Sequence, residues 1–189
     1  MRRGFSLIEM VFVIVILGVL AGVAVPKFVA TRLDKKVATL RSDTANTLKT
    51  IVAKVFADNL DTTASKAPEP NDRLKRPTLA WSEWIIEVSG LSRHKWLPAK
   101  NDDKHRGVSP AYKVGKVNIP CGDEAYISIT ENGNLYFNPA ALAKEKEYVG
   151  IGVGGNEYLL CQKLRDSYGS SIGYGNKIIP LSSTQTVAF

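Results

Sequence analysis

Between Phe5 and Val25 the chain runs through 21 residues of which only Ser6 and Glu9 are strongly polar. Coiled at about 1.5 Å per residue, such a run reaches about 32 Å, close to the hydrocarbon core of a bilayer. A helix on the flank of a soluble core keeps a polar stripe at 3.6-residue spacing, and Met10 to Val25 has none. The run therefore needs apolar surroundings on every side, and a membrane-spanning helix over 5–25 is the expectation; a buried soluble helix is the bland alternative. The rest of the 189 residues is polar, turn-rich and mixed in sign, and at 44% hydrophobic and 23% charged the whole is a globular rather than a disordered chain. A formal charge of +7 favours anionic partners, membrane surfaces or nucleic acid among them.

A secretory signal peptide competes for the same residues, since Arg2 and Arg3 give a basic start and Gly22-Val23-Ala24 is a small-x-small site. The apolar stretch is longer than the usual h-region of about 7–15 residues, and a carboxylate such as Glu9 costs about 2.5–3.5 kcal/mol at a membrane centre. Export alone has no use for Glu9. A carboxylate in such a helix calls for a cation. Arg2, Arg3 and a new α-amino group made by cutting the chain before Phe5 are the nearest.

The run Arg3-Gly4-Phe5-Ser6-Leu7-Ile8-Glu9, followed at once by the apolar helix, resembles the class III leader of type IV pilins and type II secretion pseudopilins. The resemblance covers roughly the first 30 residues. It implies cleavage after Gly4 by a prepilin peptidase, methylation of the new amine on Phe5, and pairing of Glu9 with the Phe5 amine of a neighbouring subunit. It further implies a non-enzymatic structural subunit of a pilus or secretion pseudopilus, without cofactor, stored as a single-pass inner-membrane protein. Its carboxyl-terminal domain would be periplasmic or extracellular, and its partners the lipid bilayer, an assembly platform and other pilin-like subunits. A pilin-like part in DNA uptake, or a membrane-anchored or secreted binding protein cut after Ala24, are the alternatives. In the resembled family the Gly-to-Pro stretch, here Gly18, Gly22 and Pro26, unwinds on assembly; Gly18 and Gly22 also make a small-xxx-small pair, and Pro26 leaves the Gly22 carbonyl without its helical donor.

Charge counting argues against this orientation. Two basic residues precede the run, whereas Lys27, Arg32, Lys35, Lys36 and Arg41 follow it, which would place the carboxyl-terminal side in the cytoplasm. The leader, being the more specific signal, is given precedence.

After Pro26, apolar residues at Val29, Leu33, Val37, Leu40, Leu48, Ile51, Val52 and Val55 keep helical spacing, so residues 26–59 read as an amphipathic stem continuing the first helix. Its exposed face is basic, with Lys27 and Arg32 able to snorkel to lipid phosphates. Pro68, Pro70 and Pro77 make 60–77 a linker loop. In the globular region 78–189, Trp81, Trp84, Ile85 and Val88 share a face of a short helix opened by Thr78. Tyr112–Ile119 and Ala125–Thr130 read as strands, and Asn132-Gly133 turns the second back into Leu135–Phe137. The class is α+β, a long helix packed against a small antiparallel sheet. Cys121 and Cys161 are the only cysteines. In an oxidising compartment their disulfide would stabilise by about 4 kcal/mol. Two buried thiols are the alternative; many pilins carry such a carboxyl-terminal disulfide, and the resemblance favours the bond.

Other matches fail in context. Gly150–Gly155 satisfies G-x-G-x-x-G, but no acid follows Asp166. Gly169–Gly173 fits G-x-S-x-G, yet His94 and His105 both precede it. Asp102-Asp103 and Asp123-Glu124 could contribute to a calcium site, though solvated surface acids are the plainer reading. Arg93-His94-Lys95-Trp96 with Lys100, Lys104, His105 and Arg106 has the composition of a nucleic-acid patch, with a solvated loop as the plainer reading.

Overall fold

An apolar run continued without interruption by an amphipathic one gives one helix, α1, Leu7–Asp58, of 52 residues. The structure is a computed structural model describing residues 7–72, 74, 76–99, 106–142, 159–169 and 176–181, with backbone alone at 20–31 and 114. Its contacts divide it into two units, Met1–Lys36 and Val37–Phe189. In the first unit α1 passes through Gly22 and Pro26 as helix.

In the second unit the helix stripe is Val37, Leu40, Thr44, Thr47, Ile51 and Val55, all buried. The steps of three and four keep one side of α1 against the rest of the unit. Leu48 and Val52, expected on that side, are only half-buried, and the two threonines take the central places. Asn59 ends the helix with φ 47°. The Leu60 N–H then donates to the Val55 carbonyl at 3.0 Å, the backward bond by which a left-handed residue closes a helix.

The connection carries a short strand, β1 (Ala67–Pro68), paired antiparallel with β2 (Pro77–Leu79). Thr78 thus lies in a strand, with its hydroxyl on Glu69. Helix α2 (Trp81–Val88) begins after Ala80 with no side-chain cap. Its buried side holds Trp81, Trp84, Ile85 and Ile86, while Val88 is half-buried.

Strands β3 (Trp96–Pro98), β4 (Gly107–Val114), β5 (Val117–Pro120), β6 (Ile127–Ile129), β7 (Asn134–Phe137) and β8 (Lys177–Pro180) follow, with α3 (Leu159–Asp166) before β8. The sheet order is β3-β4-β6-β7-β8, antiparallel throughout, and β5 pairs with the far half of β4. The single strand expected over Tyr112–Ile119 is therefore a hairpin. Gly115, at φ 59°, supplies the left-handed turn residue that a β-branched or bulky side chain resists. The Asn132-Gly133 turn is present, but only Gly133 is left-handed, at φ 74°. Its N–H donates to Thr130 O at 2.9 Å, so a turn centred on Glu131-Asn132 precedes the glycine. The class is α+β, an amino-terminal helix followed by an antiparallel sheet, as the sequence predicts.

Candidate functional site

Every side chain from Leu7 to Val19 is exposed. Eleven of these thirteen are large and apolar, among them Leu7 at 82%, Phe12 at 66% and Ile14 at 64% exposure. Residues advance 100° around a helix, so thirteen in succession cover its whole circumference. Soluble monomers rarely show so much contiguous apolar surface, and surface of this kind marks a contact with protein or lipid. Among the described residues no helix is long and apolar enough to cross a membrane. The described side chains span 13 residues of the run, against the about 20 that a crossing needs.

The two exceptions on this cylinder are Glu9 and Gly18. Glu9 lies in the first described turn of α1. A Cβ added at Gly18 meets nothing within 4 Å, so the glycine leaves a notch along which another helix can approach. Gly4 and Phe5 lie outside the described residues.

Residues 1–25 match the prokaryotic N-terminal methylation motif. This is the class III leader of type IV prepilins and pseudopilins, with Gly4, Phe5 and Glu9 inside it. The match stops at Val25, where the apolar run stops. No curated protein and no solved structure matches the chain.

The globular part behind this prepilin leader is held by contacts that sequence patterns did not reveal. Arg106, expected in a basic surface patch, is 5% exposed. Its guanidinium donates to the carbonyls of Ile129 at 2.6 Å, Ala64 at 2.7 Å and Thr130 at 3.1 Å, and to that of Thr62. It also sits 5.4 Å over the Trp81 ring, whose N–H shares the Ala64 carbonyl at 2.8 Å. One charge thus ties the segment after α1 to the β6–β7 turn. Thr62 adds a bond from its hydroxyl to Gly133 O at 3.0 Å.

A second junction joins α1 to the sheet. Tyr126, fully buried, donates to the Tyr168 hydroxyl at 2.8 Å and lies 3.3 Å from that of Thr44, which is itself bonded to Leu40 O at 2.7 Å. Burial, and then the neighbouring Tyr168, push the Tyr126 phenol far above its ordinary range. Arg41 covers the Tyr168 ring at 5.2 Å. Cys121 and Cys161 are bonded, tying the end of β5 to α3.

These positions dismantle the nucleic-acid patch. Trp96, its aromatic, is buried with its N–H 3.4 Å from Asp43, and Arg106 is committed to carbonyls. Arg93 is paired with Glu83. Arg93, His94 and Lys95 stay exposed in the described part, while Lys100, Lys104 and His105 lie outside it. Of the acids considered for calcium, Asp123 and Glu124 are exposed and Asp102 and Asp103 lie outside the described residues, among which no metal-holding cluster occurs. Gly150–Gly155 also lie outside, as do Ser170, Ser171, Ile172 and Gly173 of the other glycine match; Gly169, at φ 89°, follows α3.

Proposed function

We propose that the chain is a structural subunit of a type IV pilus or a type II secretion pseudopilus, assembled through its amino-terminal helix. The observation that carries this reading is the methylation leader set directly before an apolar cylinder exposed on all sides. Residues 1–4 form the leader, 5–25 the membrane segment, 26–59 the stem, 60–77 the connection and 78–189 the globular region. Prepilin peptidase cuts after Gly4, the Phe5 amine is methylated, and the subunit waits as a single-pass inner-membrane protein with its globular region on the far side. Assembly then replaces lipid around α1 with the helices of other subunits, at an inner-membrane platform.

The electrostatics fit that sequence of events. Methylation keeps the positive charge of the amine, so the Phe5 amine of one subunit and Glu9 of the next form a pair inside a helical bundle. Breaking one side of such a pair costs about 3–5 kcal/mol. The stretch around Gly18, Gly22 and Pro26 is where α1 gives way on packing, since Pro26 donates no hydrogen bond there. The subunit has no active site of its own.

The test is the mass of the mature chain recovered from cells. A chain that begins with N-methylated Phe5 supports the reading. One that retains residues 1–4, or begins after Ala24, removes it.

A further inference from the structure

Three exposed basic residues, Arg32, Lys35 and Lys36, lie in the first unit just beyond the apolar cylinder. On a helix turning 100° per residue they fall within an arc of about 100°, while the acid of the same segment, Asp34, points to the far side. This arc borders the side on which Leu33 is buried.

Glu9 and Arg32 are 23 residues apart in α1. That separation is about 35 Å along the helix, the ~30 Å of hydrocarbon plus a few ångströms of headgroup. Lys27, the only charged residue between them, lies about 7.5 Å inward of Arg32, beyond the 5–25 run and within snorkelling reach of the same leaflet. The helix therefore carries a charged group at each boundary of a bilayer at the same time.

The geometry points to a phospholipid site on this arc: Arg32, Lys35 and Lys36 bind the phosphates of anionic lipids in the leaflet on the carboxyl-terminal side. This inference rests on the membrane-stored state proposed above. It accounts for the cluster of positive charge that the charge-counting rule finds on the wrong side of the span, by setting that charge at the headgroups of an anionic leaflet. It also sets the depth of the stored subunit. With the arc at its headgroups, Glu9 rests at the opposite boundary rather than in hydrocarbon, and its carboxylate enters the apolar layer only when the subunit is drawn out towards the growing polymer.

The test uses the mature full-length protein in mixed micelles of phosphatidylglycerol and phosphatidylcholine at equal amounts, released for native mass spectrometry. Each basic residue near an anionic surface is worth about 1 kcal/mol, or about five-fold. Wild type is expected to retain phosphatidylglycerol over phosphatidylcholine by at least that factor. The variant Arg32→Gln/Lys35→Gln/Lys36→Gln, altered only at exposed positions, is expected to retain the two equally. Equal retention by wild type, an undiminished preference in the variant, or displacement of the lipid by inorganic phosphate each overturns the proposal. The same spectrum gives the mass of the chain, so an unprocessed leader, which would sink the pilin reading, is seen separately from the lipid preference.

Discussion

Replacing Arg106 by methionine keeps the bulk of the side chain and removes its charge and all its donors. Four carbonyls from two distant segments then lose a partner; Ala64 O keeps the Trp81 N–H and Thr130 O the Gly133 N–H, while those of Thr62 and Ile129 lose this donor. A buried acceptor left without its bond costs about 1–3 kcal/mol, and relief of the desolvated guanidinium offsets part of the sum, leaving a net loss of about 3 kcal/mol. Arg106→Lys should lose nearly as much, because a compact ammonium cannot reproduce a planar fork that reaches both segments at once. Urea unfolding followed by tryptophan fluorescence reads this directly, since Trp81, Trp84 and Trp96 are all buried in the same unit. With a slope of about 2 kcal/mol/M, the midpoint of Arg106→Met should fall by about 1.5 M. A fall of less than about 0.5 M would show that the guanidinium is not what ties the post-helix segment to the β6–β7 turn.

Three further outcomes follow from the same contacts. Tyr126 has a phenol pKa raised in the folded state, so its contribution to stability is whole below the unfolded value of 10.0 and declines as pH climbs above it; a tyrosinate absorbance titration should show one residue ionising only with unfolding, and its ionisation alongside exposed tyrosines would contradict the burial. Cys121 and Cys161 are 40 residues apart in sequence; the double serine variant should lose about 4 kcal/mol in the same urea experiment on the chain-entropy account, and an unchanged midpoint would refute it. Gly133 has φ 74°, and a Cβ there would come within 2.7 Å of the Thr62 hydroxyl oxygen; Gly133→Ala should therefore destabilise by more than the ~1 kcal/mol of backbone strain alone, and a neutral thermal melt would count against the close approach.

What was legible in the sequence divides along a physical line. Local periodicity revealed the helix from Leu7 to Asp58, the Trp81–Val88 helix and the β6–β7 hairpin, because each depends on neighbours a few residues away. Two cysteines allow one intramolecular pairing, but the count left two thiols open, and it was the resemblance that favoured the Cys121–Cys161 bond the structure holds. Thr44 and Thr47 escaped because a search for apolar stripes passes over hydroxyls, although their spacing completes the stripe from Leu40 to Ile51. The β4–β5 hairpin escaped because Gly115-Lys116 is a weaker turn signal than Asn132-Gly133, yet a glycine inside an apparent strand was the available hint. Arg106 could not be read at all. Its burial depends on carbonyls 23 to 44 residues away, and an arginine among lysines and histidines looks solvated until the chain is folded.

The pairing between subunits is tested most directly by Glu9→Gln, which keeps the shape of the side chain and removes its charge. The quantity to measure is the amount of filament recovered from cells, divided by the amount of processed subunit in their membranes. Processed subunit should stay at the wild-type level while filament falls by about a hundred-fold or more, the factor that 3–5 kcal/mol per contact implies. Filaments at the wild-type ratio would mean that the carboxylate does not hold neighbouring subunits together.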